Sequence, residues 1–255
     1  MNYGLYLSAS GALSAMHRLD VAANNLANVS TTAFKPDIAI GAQRDAARIE
    51  DGLFHIDSNT LLEQLGGGAL SAPTITNFTP AAPEITGNPL DVAILGEGFF
   101  ALGGAEEGLN LSRDGRFTLD ERGRLQTATT GLPVLGANDR PIFVDPEIDV
   151  EISSRGEVIQ DDRVIGRIQI VSVPDRRQLT KSGENLFYAT PQVAETRFAT
   201  GSFIEPGSLE SSGVDPIMAL KSVTDAGADA RNSLRLMEIH DQLMDRAINS
   251  FGRVA

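Results

Sequence analysis

The chain contains no cysteine. A disulfide, a catalytic thiolate and a zinc site with sulfur ligands are therefore excluded. The compartment stays open, because a cysteine-free chain suits oxidising and reducing surroundings alike. Tryptophan is absent as well. Histidine occurs only at positions 17, 55 and 240, with no metal-ligand spacing among the three or with nearby carboxylates. No apolar run is long enough to span a bilayer. Basic residues are outnumbered, 21 Lys and Arg against 34 Asp and Glu, for a net charge of −13. A nucleic-acid partner needs a basic surface, and so does adhesion to an anionic membrane; both are disfavoured.

The motifs of catalysis are missing too. There is no Gly-x-Ser-x-Gly elbow and no Walker pattern. The Gly-x-Gly of "GEGFF" opens no helix, so it does not read as a dinucleotide site. Asp161-Asp162 and the Asp145-Pro146-Glu147 cluster read as solvated turns, with a calcium site the weaker alternative. The sequons at Asn28, Asn77 and Asn110 are short and frequent by chance. No nucleophile, base and orienter assemble. The expectation is a non-enzyme without cofactor, metal or small-molecule substrate. "GLYLSASGALSAM" near the start is moderately apolar, but no Lys or Arg precedes it and Ser and Gly replace Leu; an uncleaved N-terminus is expected.

What is present is organised by position. Residues 1–35 carry Arg18, Lys35 and Asp20, and residues 215–255 are near neutral, which leaves 36–214 with the whole −13. Proline follows the same split: none precedes Pro36, and only Pro216 follows Pro206. The ends read as long helices and the middle as β structure. The expected fold is α+β, with long coiled-coil-like N- and C-terminal helices flanking a mainly antiparallel β domain. The expected division is 1–35, an assembly helix; 36–86, an extended or irregular linker; 87–208, the β domain; and 209–255, a second assembly helix.

In the first segment Leu5, Ala9, Ala12, Met16, Leu19, Ala23 and Leu26 alternate steps of four and three, a heptad seam. Its small residues imply close approach to a partner helix. A single amphipathic helix lying on its own domain would show the same period. In the last segment Asp215-Pro216 is a helix start, N-cap then first-turn proline. Leu220, Val223, Gly227, Ala230, Leu234 and Met237 follow at heptad spacing, then Met244, Ile248 and Phe251 beyond Asp241. The two seams could pair within the chain or between chains. Ala-rich helices of this length are marginal alone in water, so ordering on assembly is expected, with an intramolecular pair as the alternative.

The middle has strand-length apolar runs about every ten residues, separated by turn chemistry, as in an antiparallel sandwich or barrel. Gly96-Glu97-Gly98 reads as a hairpin turn between Val92–Leu95 and Phe99–Leu102, and Ser182-Gly183 as the turn before "ENLFYAT".

"LANVSTTAFK" after an Ala- and Asn-rich heptad helix resembles the N-terminal signature of the bacterial flagellar basal-body rod and hook proteins. "GNPLDVAILGEGFF", "LSRDGRFTLDERGRL" and "SGENLFYAT" resemble that family's central segments in order, and "LESSGVDPIMAL" the start of its C-terminal helix. Three positions depart from the family pattern: Ala33 and Gly213 stand where Gly and Asn are usual, and Ala226-Gly227-Ala228 replaces a Gln-Arg pair. The resemblance implies a tubular axial subunit whose terminal helices pack near the axis as a coiled coil while the β domain faces outward. It implies partners that are other copies and neighbouring rod or hook subunits, and export without a cleaved signal by the flagellar type III apparatus into the periplasm-spanning rod. The opening "MNYGLYLSASGAL" and the short 36–86 segment look closer to a proximal than a distal rod subunit. A secreted β-domain adhesin or cap protein oligomerised by its terminal helices is the alternative. The expected subunit-interface residues are Leu5, Ala9, Ala12, Met16, Leu19, Ala23, Asn24, Asn25, Leu26, Asn28, Leu220, Val223, Ala230, Leu234, Met237, Met244, Ile248 and Phe251.

Overall fold

The computed structural model describes residues 3–45, 49, 52, 66–104, 108–190, 193 and 202–251. Both periodic ends are helical: α1 spans Tyr3–Ala27 and α2 spans Pro216–Phe251. Asp215 caps α2 as expected, its Oδ1 accepting from the amides of Ile217 at 2.8 Å and Met218 at 3.0 Å. α1 gives out where Asn28 opens a turn, its carbonyl accepting from Thr31 N at 3.1 Å and its side-chain oxygen from the Thr31 hydroxyl at 3.1 Å.

The chain divides into two units. The first comprises Met1–Ala27, Asp37–Ile75 and Asp215–Ala255. It holds both helices and a two-stranded sheet of β1 (Asp37–Gln43) and β2 (Ala69–Thr76). Residues 36–86, expected as linker, thus contain strands among their described residues. α1 lies between two neighbours. One face meets α2; another meets the sheet, where Ala69 N donates to Ser10 Oγ at 3.3 Å and the Arg44 guanidinium caps the Tyr6 hydroxyl.

The second unit comprises Asn28–Pro36 and Thr76–Val214. Its bounds differ from the 87–208 read from sequence because the loop after α1 folds into it. Its strands are β3 (Pro83–Ile85), β4 (Val92–Leu95), β5 (Phe99–Leu102), β6 (Leu109–Ser112), β7 (Phe117–Leu119), β8 (Leu125–Thr127), β9 (Glu151–Ile152), β10 (Glu157–Gln160), β11 (Arg163–Arg167), β12 (Ile170–Val171), β13 (Thr180–Gly183), β14 (Leu186–Ala189), β15 (Phe203–Pro206) and β16 (Ser208–Glu210). All its registered pairings are antiparallel. The largest sheet runs β12-β5-β6-β14-β13, and a second runs β11-β10-β9. Two apolar clusters fill the interior. One gathers Val92, Phe100, Phe117, Leu125, Val158 and Ile168; the other packs Phe99, Leu111 and Phe187 with Phe78.

Two turn readings are corrected. β4 and β5 do not form a hairpin: β4 pairs with β15, and β5 with β6 and β12. Gly96 (φ +103°) and Gly98 (φ +125°) instead carry the chain from one sheet to another. The turn before β14 is Glu184-Asn185, both with positive φ, so β13 extends through Ser182-Gly183. Asp161-Asp162 does form a turn of the same kind, between β10 and β11.

Candidate assembly surface

α1 and α2 run antiparallel. Gly4 lies against His240, Gly11 against Ser233, and Leu19 beside Gly227, while Arg18 and Asp229 pair at 3.1 Å. The contact is made by small side chains. Ser8, Ala12, Ala15 and Ala22 are buried on α1, as are Ala219, Ala226 and Ala230 on α2. The absence of side-chain bulk brings the two backbones close. A Cβ on Gly4 would sit 2.6 Å from the His240 ring. Ala226-Gly227-Ala228, where the family usually has a Gln-Arg pair, lies at the crossing with Leu19, which a Cβ on Gly227 would meet at an ordinary 4.0 Å.

The residues of the seam read from sequence divide between the inner side of the helix pair and its exposed side. Leu5, Ala12, Leu19 and Leu26 on α1, with Val223, Ala230 and Met237 on α2, lie buried or half-buried on the inner side. Where sequence pointed to Ala9, Met16 and Ala23, the inner face uses Ser8, Ala15 and Ala22. Where it pointed to Leu220, Gly227 and Leu234, the inner face uses Ala219, Ala226 and Ser233. At 100° per residue, Ala9, Leu13 and Met16 share a third face of α1, between the sides that meet α2 and the sheet. Leu13 is 68% exposed and Met16 49%. On α2, Leu220, Leu234, Leu236, Ile239 and Leu243 are exposed.

α2 also outruns its partner. His240 stands beside Gly4, one residue into α1, and Asp241–Phe251 continue past it. Met244 and Ile248 follow Met237 on the inner side of α2, yet both are exposed, Ile248 at 65%. The side chain of Phe251 lies outside the described residues, as does His55. Large exposed apolar rows of this kind mark contact surfaces.

The asparagines divide. Asn25 is committed within the chain: its Nδ2 donates to Asp37 O at 2.7 Å and its Oδ1 accepts from Asp37 N at 3.0 Å, so one amide mimics a strand partner for the start of β1. Asn28 holds its own turn, and its carbonyl accepts from Ser212 Oγ at 2.9 Å. Asn24 is exposed.

In the second unit, the loop after α1 and the strand before α2 are clamped together by a feature sequence reading missed. Lys35 donates to Glu210 Oε1 at 2.7 Å and to the Thr79 carbonyl at 2.9 Å. Arg113 reaches Glu210 Oε2 at 3.3 Å and the Gly96 carbonyl at 2.7 Å. The three side chains are 0%, 1% and 3% exposed for Lys35, Glu210 and Arg113. Burial pulls the Lys35 ammonium and the Arg113 guanidinium below their ordinary pKa values, with Glu210 acting against the shift in both. Around this triad Ala33 N donates to Glu210 O at 2.8 Å and Gly213 N to Phe34 O at 2.9 Å. A Cβ at Gly213 would come within 3.0 Å of Pro36, which accounts for glycine in place of the usual asparagine. Ala33 adopts φ +56°, the left-handed turn expected of glycine there. The one signal in sequence was a lysine placed directly before Pro36 in an otherwise uncharged loop.

Comparison with known proteins follows the same geography. Residues 5–35 match the family described as flagella basal body rod protein, and residues 93–160 the flagellar hook protein FlgE/F/G D1 domain. The chain is 29% identical to flagellar basal-body rod protein FlgF of Caulobacter vibrioides over all of both chains. It is 30% identical to flagellar basal-body rod protein FlgG of Buchnera aphidicola subsp. Acyrthosiphon pisum, over 82% of this chain and 80% of that one. It is 28% identical to FlgG of Bacillus subtilis, over 96% and 97%.

Proposed function

This chain belongs to the flagellar basal-body rod and hook protein family, a structural rather than enzymatic family, and from that premise we propose that it is an axial rod subunit that polymerises through its terminal helices and transmits torque from motor to hook. The observation that carries this is the open apolar surface of the helix pair, with Leu13 and Met16 on α1 and Leu234, Met244 and Ile248 on α2. The small-residue seam closes each helix pair internally and leaves the bulky residues for neighbours. Repeated contacts of this heterologous kind propagate an open helical polymer. Each such side chain is already partly covered, so its further burial contributes about 1 kcal/mol.

A rod subunit acts outside the cytoplasm, and the type III apparatus is the export route this reading supplies, without signal cleavage. We place it in the proximal rather than distal rod, on the opening "MNYGLYLSASGAL" and the short 36–86 segment. Fractionation tests the proposal. A tagged chain complementing a chromosomal deletion should copurify with detergent-extracted basal bodies and restore swimming. Recovery of the tagged chain only outside the basal bodies, in cells that swim, would overturn it.

A further inference from the structure

Phe143 is an aromatic residue with 54% of its surface exposed, on the segment joining β8 to β9. It stands between two hollows. One, of about 370 Å³, lies between this segment and Ile165–Arg167 of β11; the other, of about 310 Å³, is edged by Asp120, Glu121, Arg122 and Arg124. Val164 and Ile165 are exposed on the neighbouring strand, at an edge of its sheet. Arg124 is paired with Asp120, but the exposed guanidiniums of Arg122 and Arg140, each lining one of these hollows with the ring, have no ion-pair partner among the described residues. Aromatic and arginine enrichment is the signature of a contact core.

The complement lies just downstream. Asp145, Glu147, Asp149 and Glu151 are four exposed carboxylates in seven residues, and none forms an ion pair among the described residues. Within one copy the two charge sets adjoin without pairing. Between copies displaced by one patch width, the basic-aromatic surface of one meets the acidic segment of the next. That contact leaves a free patch at each end, so it repeats.

We propose that the Phe143 surface, with Arg122 and Arg140, receives the Asp145–Glu151 segment of a second copy, giving the β unit its own heterologous contact beside that of the helices. The inference rests on the reading of this chain as a polymerising subunit. The cysteine-free chain makes the test clean. Ala137→Cys, in the hollow beside Phe143, and Pro146→Cys, in the acidic segment, leave the ring and the charges intact. Copies carrying these and different tags are coexpressed in place of the native chain and treated with a short bis-maleimide. Crosslinked heterodimers should form in the mixture and be absent when either variant is expressed alone. Reversing Arg122 and Arg140 to Glu in the Ala137→Cys copy should cut the yield at least tenfold. Adding Asp145→Lys and Glu147→Lys to the other copy should restore it. Recovery of the tagged copies in detergent-extracted basal bodies serves as control. Recovery there without the heterodimer would overturn this inference and leave the assembly reading standing. Dimers of Ala137→Cys alone would show a symmetric contact and overturn it too. Absence of the tagged native chain from basal bodies would overturn the assembly reading itself.

Discussion

Lys35 places its side-chain nitrogen where no water reaches, held by Glu210 and the Thr79 carbonyl. Removing one partner of such a group strands the others. Lys35→Ala should therefore cost about 3–5 kcal/mol, read as a lowered midpoint in urea unfolding; an unchanged midpoint would refute the clamp. Ala33 offers the opposite case. A non-glycine residue at φ +56° is strained by roughly 1 kcal/mol. Part of that is returned by the greater unfolded-state freedom of glycine. Ala33→Gly should still raise the thermal midpoint of the β unit in calorimetry. Ala33 departs from the family's usual glycine, yet the backbone makes the left-handed turn.

At the scale of elements, the charge of Asp120 organises the β7–β8 hairpin by accepting from Arg122 N at 2.9 Å and Arg124 N at 2.7 Å. Chiefly the Arg124 backbone amide holds its carboxyl below the ordinary 3.8. A depressed folded-state pKa means stability that is present above the unfolded value and lost as pH falls through the folded one. Asp120→Asn should be less stable than the native chain at neutral pH, and the gap should close under acid; a gap independent of pH would refute the assignment. The helices were legible because period and capping are local. α2 starts where Asp215-Pro216 predicts, and the heptad spacing holds in both helices. The phase of the seam was not legible. Where Ser8 and Ala9, or Ala219 and Leu220, stand side by side, hydrophobicity alone does not say which faces the other helix; in this chain the buried one is Ser8 or Ala219. Nor could sequence pair Lys35 with Glu210, because their contact depends on the closure of the whole β unit. The false hairpin at Gly96–Gly98 has the same origin: the turn chemistry was real, but strand partners are chosen by non-local packing.

For the whole molecule, the division of labour between small and bulky helix residues is the central claim. Small residues close the pair within a chain, and bulky ones join chains. Ala15 is fully buried against its surroundings, so Ala15→Leu should overpack the inner seam, cost about 1–3 kcal/mol and lower helicity by circular dichroism. Outward residues should behave in the reverse manner. The most direct measurement is the Leu13→Ser/Leu234→Ser double variant, followed by circular dichroism of the purified chain and by its recovery in isolated basal bodies. The account predicts native helicity with little or no incorporation and no swimming. Native incorporation and swimming by the same variant would contradict it.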